Sequence, residues 1–339
     1  MAGKITIADI ARESGVSITS VSFALNGQPG VSEATREQVR SVARRLGWTP
    51  SMRGRRLAGR RADAVGLILE RGPEVLGADP FFSTFIAGVE AELEPRELAL
   101  ELHVSPDRES AIRRYRRLAD DGRVDGVLLT DIGVQDHRVS LVRELGLPAV
   151  AVLDVPMAFD LPAVFEDHRP GIAQTVRHLA AQGHRRIGYL TGPPARIHAA
   201  QRQQAWQDSM IECELAPGPV EHADFTADGG AAATERLLGH TPRPTAIVCA
   251  NDLMAIGVLR RLRELGIDVP DEMSVAGYDG IEISRHVTPS LTTVITDPQT
   301  VGRRAAQLLL ELIAKRDPTD IEIEPAKLAV RNSTGRAPA

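Results

Sequence analysis

The most constraining feature of this 339-residue sequence is a change of pattern near residue 64. Beyond that point, short runs rich in Val, Ile and Leu alternate with amphipathic helical segments. Such alternation predicts βαβ units and a mainly parallel sheet. Ten candidate strands between residues 65 and 330 fit two doubly wound lobes better than they fit one sheet.

The strands and helices of this region follow from the spacing of the apolar residues. The predicted strands are 65–69, 98–104, 127–130, 149–153, 163–165, 187–191, 246–249 and 274–277, with weaker candidates at 292–296 and 327–330. The predicted helices between them are 82–93, 109–119, 139–145, 171–182, 201–210, 229–238, 253–265 and 299–313.

The first 47 residues have a different pattern, which predicts three short helices at 7–14, 18–25 and 33–46. Thr6, Ser17 and Ser32 precede the helices as N-caps, and Gly15 ends the first of them. Two helices joined by a three-residue turn have the dimensions of a helix-turn-helix.

The charge distribution supports a nucleic-acid partner for this N-terminal segment. Residues 1–61 carry eleven Lys and Arg against four Asp and Glu, a net charge of +7, whereas residues 62–339 carry −12. A compact basic head on an acidic body is typical of a DNA-binding domain joined to another domain.

Several classes of protein lack support in the sequence. No apolar run is long enough for a membrane helix, no secretory signal is recognisable, and two cysteines (Cys213 and Cys249) cannot form a disulfide framework. Phosphate-binding, dinucleotide-binding, nucleophile-elbow and zinc motifs are missing. We therefore expect a cytoplasmic protein without catalytic residues, cofactor or metal.

The second helix of a helix-turn-helix enters the major groove with its N-terminus first. Ile18, Thr19 and Ser22 would then face base edges, where Ile18 can contact a thymine methyl group. The predicted DNA contacts of the head are Thr6, Ser17, Ile18, Thr19, Ser20, Ser22 and Asn26.

The residues of the head also form a long, gapped motif. It comprises Thr6-Ile7-Ala8-Asp9-Ile10-Ala11, Ser14-Gly15-Val16-Ser17, Val21-Ser22, Leu25-Asn26-Gly27, Val31-Ser32-Glu33-Ala34-Thr35-Arg36, Leu46-Gly47-Trp48 and Pro50. This motif resembles the opening of the LacI/GalR family of bacterial transcription regulators, and further similarity extends over nearly the whole chain. The resemblance implies a periplasmic-binding-protein-like body and a linker that folds as a hinge helix on operator DNA.

The linker of this chain is rich in arginine. Leu57 matches the leucine that the family inserts into the minor groove, although it could instead pack within a tether. An apolar wedge kinks the duplex, while the neighbouring Arg53, Arg55 and Arg56 would neutralise phosphates.

The head and linker depart from the family pattern at three positions. Phe23 stands where many relatives have a guanine-reading arginine, so that base preference is not carried over. Arg53 and Gly54 replace small helix-favouring residues, which predicts a hinge that depends more on DNA for its folding.

Polar residues collect at the ends of the predicted strands, where parallel sheets bind ligands. They are Asp131, Asp154, Asp167, Thr191, Asn251, Asp252, Asp279 and Asp297. A single Asp of this kind is usually a helix cap or a turn residue. Two facing lobes, however, would bring several of them together around one cleft.

The resemblance implies further cleft residues. Asp79-Pro80-Phe81-Phe82 is similar to a family segment whose aromatic rings line the cleft, with Phe82 as the stacking candidate or else a core residue. Arg202 matches the arginine that binds polar groups of the ligand. The predicted effector contacts are Phe81, Phe82, Asp131, Asp154, Asp167, Arg202, Trp206, Asn251 and Asp279. Val155, His168 and Gly280 differ from the family residues, which leaves the identity of the effector open.

The expected domains are a helix-turn-helix head (1–50), a hinge (51–62) and an effector-binding and dimerisation domain (63–339). Lobe 1 is expected to comprise 63–162 and 294–319, and lobe 2 to comprise 163–293 and 320–335. The predicted function is a homodimeric repressor of a palindromic operator, controlled by a sugar-like effector. An enzyme on a doubly wound scaffold and a plain solute-binding protein are the alternatives.

Overall fold

The computed structural model describes residues 5–26, 28–48, 61–72, 79–133, 135–154 and 160–338, together with the backbone but not the side chain of Asn26. The chain divides into two units, an N-terminal head that extends to Ala62 and a body formed by residues 63–119 and 124 onward. The predicted fold class is confirmed: an all-α head and a two-lobed α/β body.

The described part of the head contains helices α1 (Ile7–Ser14), α2 (Ile18–Asn26) and α3 (Glu33–Arg45). Thr6 and Asp9 form a reciprocal capping box at the start of α1, and Gly15 ends that helix with a positive φ of 69°. Apolar side chains of the three helices share a small core of Ile10, Ala11, Val21, Ala24, Val39, Val42 and Ala43.

Lobe 1 of the body is built on six parallel strands, in the order β11-β5-β4-β3-β1-β2. They are β1 (Ala64–Glu70), β2 (Ala99–Ser105), β3 (Gly126–Leu129), β4 (Ala149–Leu153), β5 (Ala163–Glu166) and β11 (Ile321–Ile323). The central strands are apolar almost throughout because helices cover both faces of a parallel sheet. The helices of this lobe are α4 (Pro80–Leu93), α5 (Arg108–Asp121), α6 (His137–Glu144) and α11 (Pro298–Ile313).

Lobe 2 has the sheet order β12-β10-β9-β8-β6-β7, in which only β12 runs antiparallel to its neighbour. Its strands are β6 (Ile187–Thr191), β7 (Val220–His222), β8 (Ala246–Cys249), β9 (Ser274–Asp279), β10 (Thr292–Ile295) and β12 (Lys327–Ala329). Its helices are α7 (Arg169–Ala181), α8 (Ile197–Glu212), α9 (Ala227–Leu238) and α10 (Asp252–Glu264).

The boundaries of the lobes differ from the predicted ones. Strands β5 and β11 belong to the sheet of lobe 1, although the sequence placed 163–166 and 320–335 in lobe 2. The chain crosses between the sheets after β5, after β10 and after β11. Strand pairing is set by contacts distant in sequence, which explains why the crossings were misplaced and why the short strands β7 and β11 were not predicted.

Helices α4 and α11 of lobe 1 pack unusually closely. A Cβ atom on Gly88 would lie 2.0 Å from the carbonyl oxygen of Gln299, and one on Gly302 would lie 2.1 Å from that of Phe85. Glycine at both positions therefore lets the two backbones approach. In the part of the chain that the structure describes, no helix has the length and apolar character needed to cross a bilayer.

Candidate functional site

The head presents the first turn of α2 to solvent. Ile18 is 58% exposed, and Thr19 beside it is exposed as well. Ser17 accepts a hydrogen bond from the backbone N–H of Ser20 at 3.0 Å, and the two hydroxyls lie 2.9 Å apart. Ser17 therefore caps the helix and leaves Ile18 and Thr19 as its most accessible side chains.

The other predicted DNA contacts differ in their surroundings. The hydroxyl of Thr6 donates to Asp9 at 2.7 Å within the capping box, and this bond holds the pKa of Asp9 below its usual range. Ser22 is half-buried, and Asn26 is the last residue of α2. Arg53, Arg55, Arg56 and Leu57 lie outside the described residues.

Contacts between the helices hold α2 in position. Arg36 of α3 donates to the carbonyl oxygens of Gln28 (3.1 Å) and Ala24 (3.5 Å), which fastens the end of α2. Gln38 of the same helix donates to the carbonyl oxygen of Ser14 at 3.0 Å, directly before the turn. Hydrogen bonds from α3 thus hold the exposed face of α2 in position.

The body contains a cleft between its lobes, at the carboxyl ends of the parallel strands. The space between its walls is about 650 Å³, a volume that includes the solvent at its open mouth. Its lining residues are Arg71, Asp79, Phe81, Thr130, Asp131, Ile132, Val152, Leu153, Asp154, Ile197, His198, Gln201, Arg202, Phe225, Asn251 and Asp279.

The wall of lobe 1 is organised by Arg71, which follows β1. Its guanidinium group binds both carboxylate oxygens of Asp131, at 2.6 Å for the Nη2–Oδ1 pair, and lies 3.4 Å from Asp79. Burial alone would raise the pKa of Asp131, but the charge and hydrogen bonds of Arg71 outweigh it and lower that pKa. Burial dominates at Asp79, whose pKa is raised although Arg71 partly offsets the effect.

The wall of lobe 2 is organised by Arg202 of α8. It donates to the carbonyl oxygen of Ala250 (2.7 Å) and to Nδ1 of His168 (2.8 Å), and its guanidinium carbon lies 4.1 Å from the ring centre of Tyr278. The same Nδ1 lies 3.2 Å from a carboxylate oxygen of Asp154, to which it can donate once the ring is protonated. Burial lowers the pKa of His168.

Two carboxylates flank Arg202 at unequal distances, Asp154 at 3.5 Å and Asp279 at 3.7 Å. Burial opposes ionisation of Asp154, but its polar contact with His168 and the charge of Arg202 lower its pKa on balance. Burial raises the pKa of Asp279 well above its usual value, since Arg202 offsets that effect only in part.

An aromatic pair forms one edge of the cleft. His198 stacks on Phe225 with a ring-centre distance of 5.2 Å, and burial lowers the pKa of His198 to about 4, so that it is neutral at pH 7. Asn251 caps α10 through its Oδ1 and donates from Nδ2 to the carbonyl oxygen of Phe225 at 3.0 Å. With Phe81 on lobe 1, these rings supply apolar faces beside the carboxylates.

Hydrogen bonds to backbone carbonyl oxygens bridge the two lobes next to the cleft. Arg196 of lobe 2 donates to the carbonyl oxygens of Asp131 (2.9 Å) and Glu70 (3.0 Å) of lobe 1. The N–H of Ile197 donates to the carbonyl oxygen of Ile132 at 3.1 Å. These contacts hold the lobes together on one side of the cleft.

Six of the predicted effector residues line the cleft in the structure: Phe81, Asp131, Asp154, Arg202, Asn251 and Asp279. Three others do not. Phe82 is buried in the core of lobe 1, with the guanidinium group of Arg71 4.8 Å above its ring. Trp206 is fully buried against Tyr189, and Asp167 pairs with Arg169 outside the cleft. The direction of each side chain, which strand or helix position alone does not fix, accounts for these errors.

Sequence reasoning missed Arg71, Asp79, His198 and Phe225 as cleft residues. Arg71 and Asp79 had a usable signal, since one follows a predicted strand and the other precedes a predicted helix. His198 and Phe225 meet only through folding and have no local signal. Among the described residues, no group of three His, Cys, Asp or Glu side chains is arranged to hold a metal ion.

Comparison with known proteins agrees with both parts of the structure. The profile described as "Bacterial regulatory proteins, lacI family" matches residues 6–51, and that of the "Periplasmic binding protein-like domain" matches residues 176–334. A transcriptional repressor, PurR of Mannheimia succiniciproducens, is 30% identical over 97% of this chain and 98% of its own. The transcriptional regulator CelR of Thermobifida fusca is 32% identical over 96% and 95%.

The chain belongs to the lacI family of bacterial regulatory proteins. Among solved structures, a CelR–cellobiose complex superposes with a TM-score of 0.76 at 30% identity, covering 97% of this chain and 99% of that one. The Lac repressor dimer bound to operator and the anti-inducer ONPF superposes with a TM-score of 0.77 at 27% identity, covering 98% and 100%. This lacI-family protein is a DNA-binding transcriptional regulator and not an enzyme.

Proposed function

We propose that this lacI-family regulator acts as a homodimer that represses transcription from a palindromic operator. Two copies of the head would place two exposed α2 turns in successive major grooves, because the two-fold symmetry of a dimer matches that of the operator. The similarity to the Lac repressor dimer on its operator supports this arrangement.

The observation that carries the effector part of the proposal is the convergence of Arg202, Asp154 and Asp279 beside Phe81 and Phe225. Carboxylates accept hydrogen bonds from hydroxyl groups, while aromatic faces contact the C–H surface of a sugar ring. A small hydroxyl-rich effector between the lobes therefore fits this site. The cellobiose complex of CelR supports the same class of ligand.

The lobes supply the route from ligand to DNA. An effector that contacts both walls stabilises one relative orientation of the lobes, and this changes the spacing of the two hinge segments that lead to the heads. The effector can shift operator affinity only through its differential affinity for the two orientations. Couplings of about 1–3 kcal/mol, or about 5–150-fold in affinity, are usual.

The first experiment is selection of bound DNA from a random duplex library. Enrichment of a palindrome supports the dimeric regulator, whereas enrichment of asymmetric single sites would contradict it. Metabolites are then screened for a change in operator affinity by fluorescence anisotropy. Asp279→Ala should remove that response and retain operator binding, and a fully responsive variant would remove Asp279 from the site.

The hinge is tested separately, through a residue that the resemblance to the family singles out. Leu57→Ala should weaken operator binding by about 1 kcal/mol or more and leave effector binding unchanged, because a minor-groove wedge contacts only DNA. Unchanged operator affinity in a gel-shift titration would exclude that role for Leu57.

A further inference from the structure

Every guanidinium nitrogen of the two cleft arginines has a partner within the protein. Arg71 uses Nε and Nη2 on Asp131 and directs Nη1 at Asp79. Arg202 uses Nε on His168, Nη1 on Ala250 and Nη2 on Asp154. The positive charge of each arginine is therefore already shared with at least one carboxylate of the protein, which weakens its attraction for a phosphate or carboxylate group of a ligand.

The carboxylates of the cleft outnumber these cations. Asp79, Asp131, Asp154 and Asp279 face two arginines among the described lining residues, and His198 is neutral. Arg71 pairs most closely with Asp131, which leaves Asp79 at 3.4 Å from a guanidinium group that is already engaged. Asp279 likewise lies 3.7 Å from the guanidinium group of Arg202, which already has other partners.

The surplus acidic groups lie on opposite walls and act on each other. Asp79 belongs to lobe 1 and Asp279 to lobe 2, and the charge of Asp79 helps to raise the pKa of Asp279. Burying a carboxylate without a full counter-ion is costly. A ligand that brings a positive charge between these walls supplies the missing counter-ion and is bound more tightly for that reason. An ammonium group supplies that charge with three donors and no acceptor.

We propose that the cleft selects a hydroxyl-rich ligand that carries an amine, of which an amino sugar is the simplest class, and rejects phosphorylated and acidic sugars. This inference rests on the proposed function, because it specifies the effector of the same cleft. The ammonium group lies between Asp79 and Asp279, and hydroxyl groups donate to the remaining carboxylate oxygens. Phe81 and Phe225 contact the ring.

Matched sets of ligands test this inference by isothermal titration calorimetry on the full-length protein. Each set contains an amine, its neutral parent and an acid: glucosamine, glucose and glucose 6-phosphate; galactosamine, galactose and galactose 6-phosphate; the glucosamine dimer, cellobiose and cellobionic acid. In the set that binds, the amine is expected to have a Kd at least tenfold below that of the neutral parent, equivalent to 1.4 kcal/mol. The acid should not bind.

The outcomes separate this inference from the proposed function. If a neutral or acidic member binds as tightly as its amine, the charge selection is wrong and the sugar-like effector stands. If no member of any set binds, the sugar-like effector of the proposed function is overturned together with this inference. DNA selection without ligand tests operator binding independently of both results.

A pair of variants provides a second test. Asp79→Asn removes one surplus charge and retains an oxygen that can cap α4 at the N–H of Phe81, since Asn is also a favourable N-cap. The ratio of amine to neutral affinity should fall at least tenfold. Asp228→Asn is the matched control, because that carboxylate is 90% exposed and pairs with Arg260 outside the cleft lining. An equal ratio in the two variants would refute the role of Asp79.

The pH dependence follows from the same groups. The pKa of Asp279 and that of Asp79 are raised by burial; Arg202 and Arg71 oppose the shift, while Asp252, Asp154 and Asp131 strengthen it. Lowering the pH therefore neutralises the surplus carboxylates and weakens amine binding more than binding of the neutral parent. Equal weakening of both ligands between pH 7.5 and pH 5.0 would contradict the inference.

Discussion

Replacement of Arg202 by methionine tests how the cleft balances its buried charges. Methionine keeps much of the side-chain volume but removes the cation, so Asp154 loses one of its two partners, at 3.5 Å, and His168 and Ala250 lose a donor. Breaking a buried ion pair on one side costs about 3–5 kcal/mol. We expect a loss of stability of that size at pH 7.5.

The loss should be smaller at low pH, because protonated His168 can then replace Arg202 as the counter-ion of Asp154. In the native protein the pKa of Asp154 is lowered, so its contribution is present above the unfolded pKa and disappears as the pH falls through the folded pKa. Arg202 lowers the pKa of His168, so its removal lets His168 take up a proton at a higher pH and stabilise Asp154 from 3.2 Å. At about 1.4 kcal/mol per pKa unit, the destabilisation should be roughly 1–3 kcal/mol larger at pH 7.5 than at pH 5.0.

Trp206 provides the assay, since it is one of two tryptophans in the chain and is fully buried in lobe 2. In a Trp48→Phe background, its fluorescence reports urea unfolding of the lobe that contains Arg202. Arg177→Met is the control: this arginine of α7 is 59% exposed and lies 3.6 Å from Glu212, so its loss should cost less than about 1 kcal/mol. The reasoning is refuted if Arg202→Met destabilises lobe 2 no more than the control, or equally at both pH values.

Three further outcomes are expected. Arg196→Ala removes the hydrogen bonds to the carbonyl oxygens of Asp131 and Glu70. This variant should bind the effector about three- to tenfold more weakly in calorimetry. An unchanged affinity would show that these bonds do not hold the lobes in the liganded orientation. Burial raises the pKa of Asp252 to about 7. The free energy of unfolding of the wild type should therefore fall by about 2–4 kcal/mol relative to that of Asp252→Asn as the pH rises from 4 to 7. The same pH dependence of both proteins in urea unfolding would exclude this. Gly302→Ala places a methyl group against the carbonyl oxygen of Phe85 and should destabilise lobe 1 by about 1–3 kcal/mol. Circular dichroism in urea measures this loss, and Ser83→Ala, at an exposed position of α4, is the control.

The sequence predicted elements well wherever the signal was local. Helix α1 has the predicted bounds because Thr6 and Gly15 act within one turn of its ends. The ten predicted strands are all present, and central strands such as β1 and β3 are buried on both faces, which requires a continuous apolar run that is visible in the sequence. The short strands β7 and β11 are defined by their partners instead, and they were missed.

The cleft shows the same division between local and distant information. The positions of Asp131, Asp154, Asn251 and Asp279 at strand ends were predictable, because parallel strands direct their carboxyl ends to one edge of each sheet. The sequence did not predict which aromatic ring faces the cleft, because Phe81 and Phe82 are adjacent and differ only in the side of α4 on which they lie.

The sequence by itself thus determined the order of the domains, the helix-turn-helix and the strand-end positions of the cleft acids, because each depends on residues close together in the chain. Only the tertiary structure decided the pairing of Arg71 with Asp131, the stacking of His198 on Phe225 and the surplus charge left at Asp79 and Asp279. These features bring together residues that lie far apart in sequence. Their energies depend on burial and on distances of a few ångströms, which no local pattern encodes.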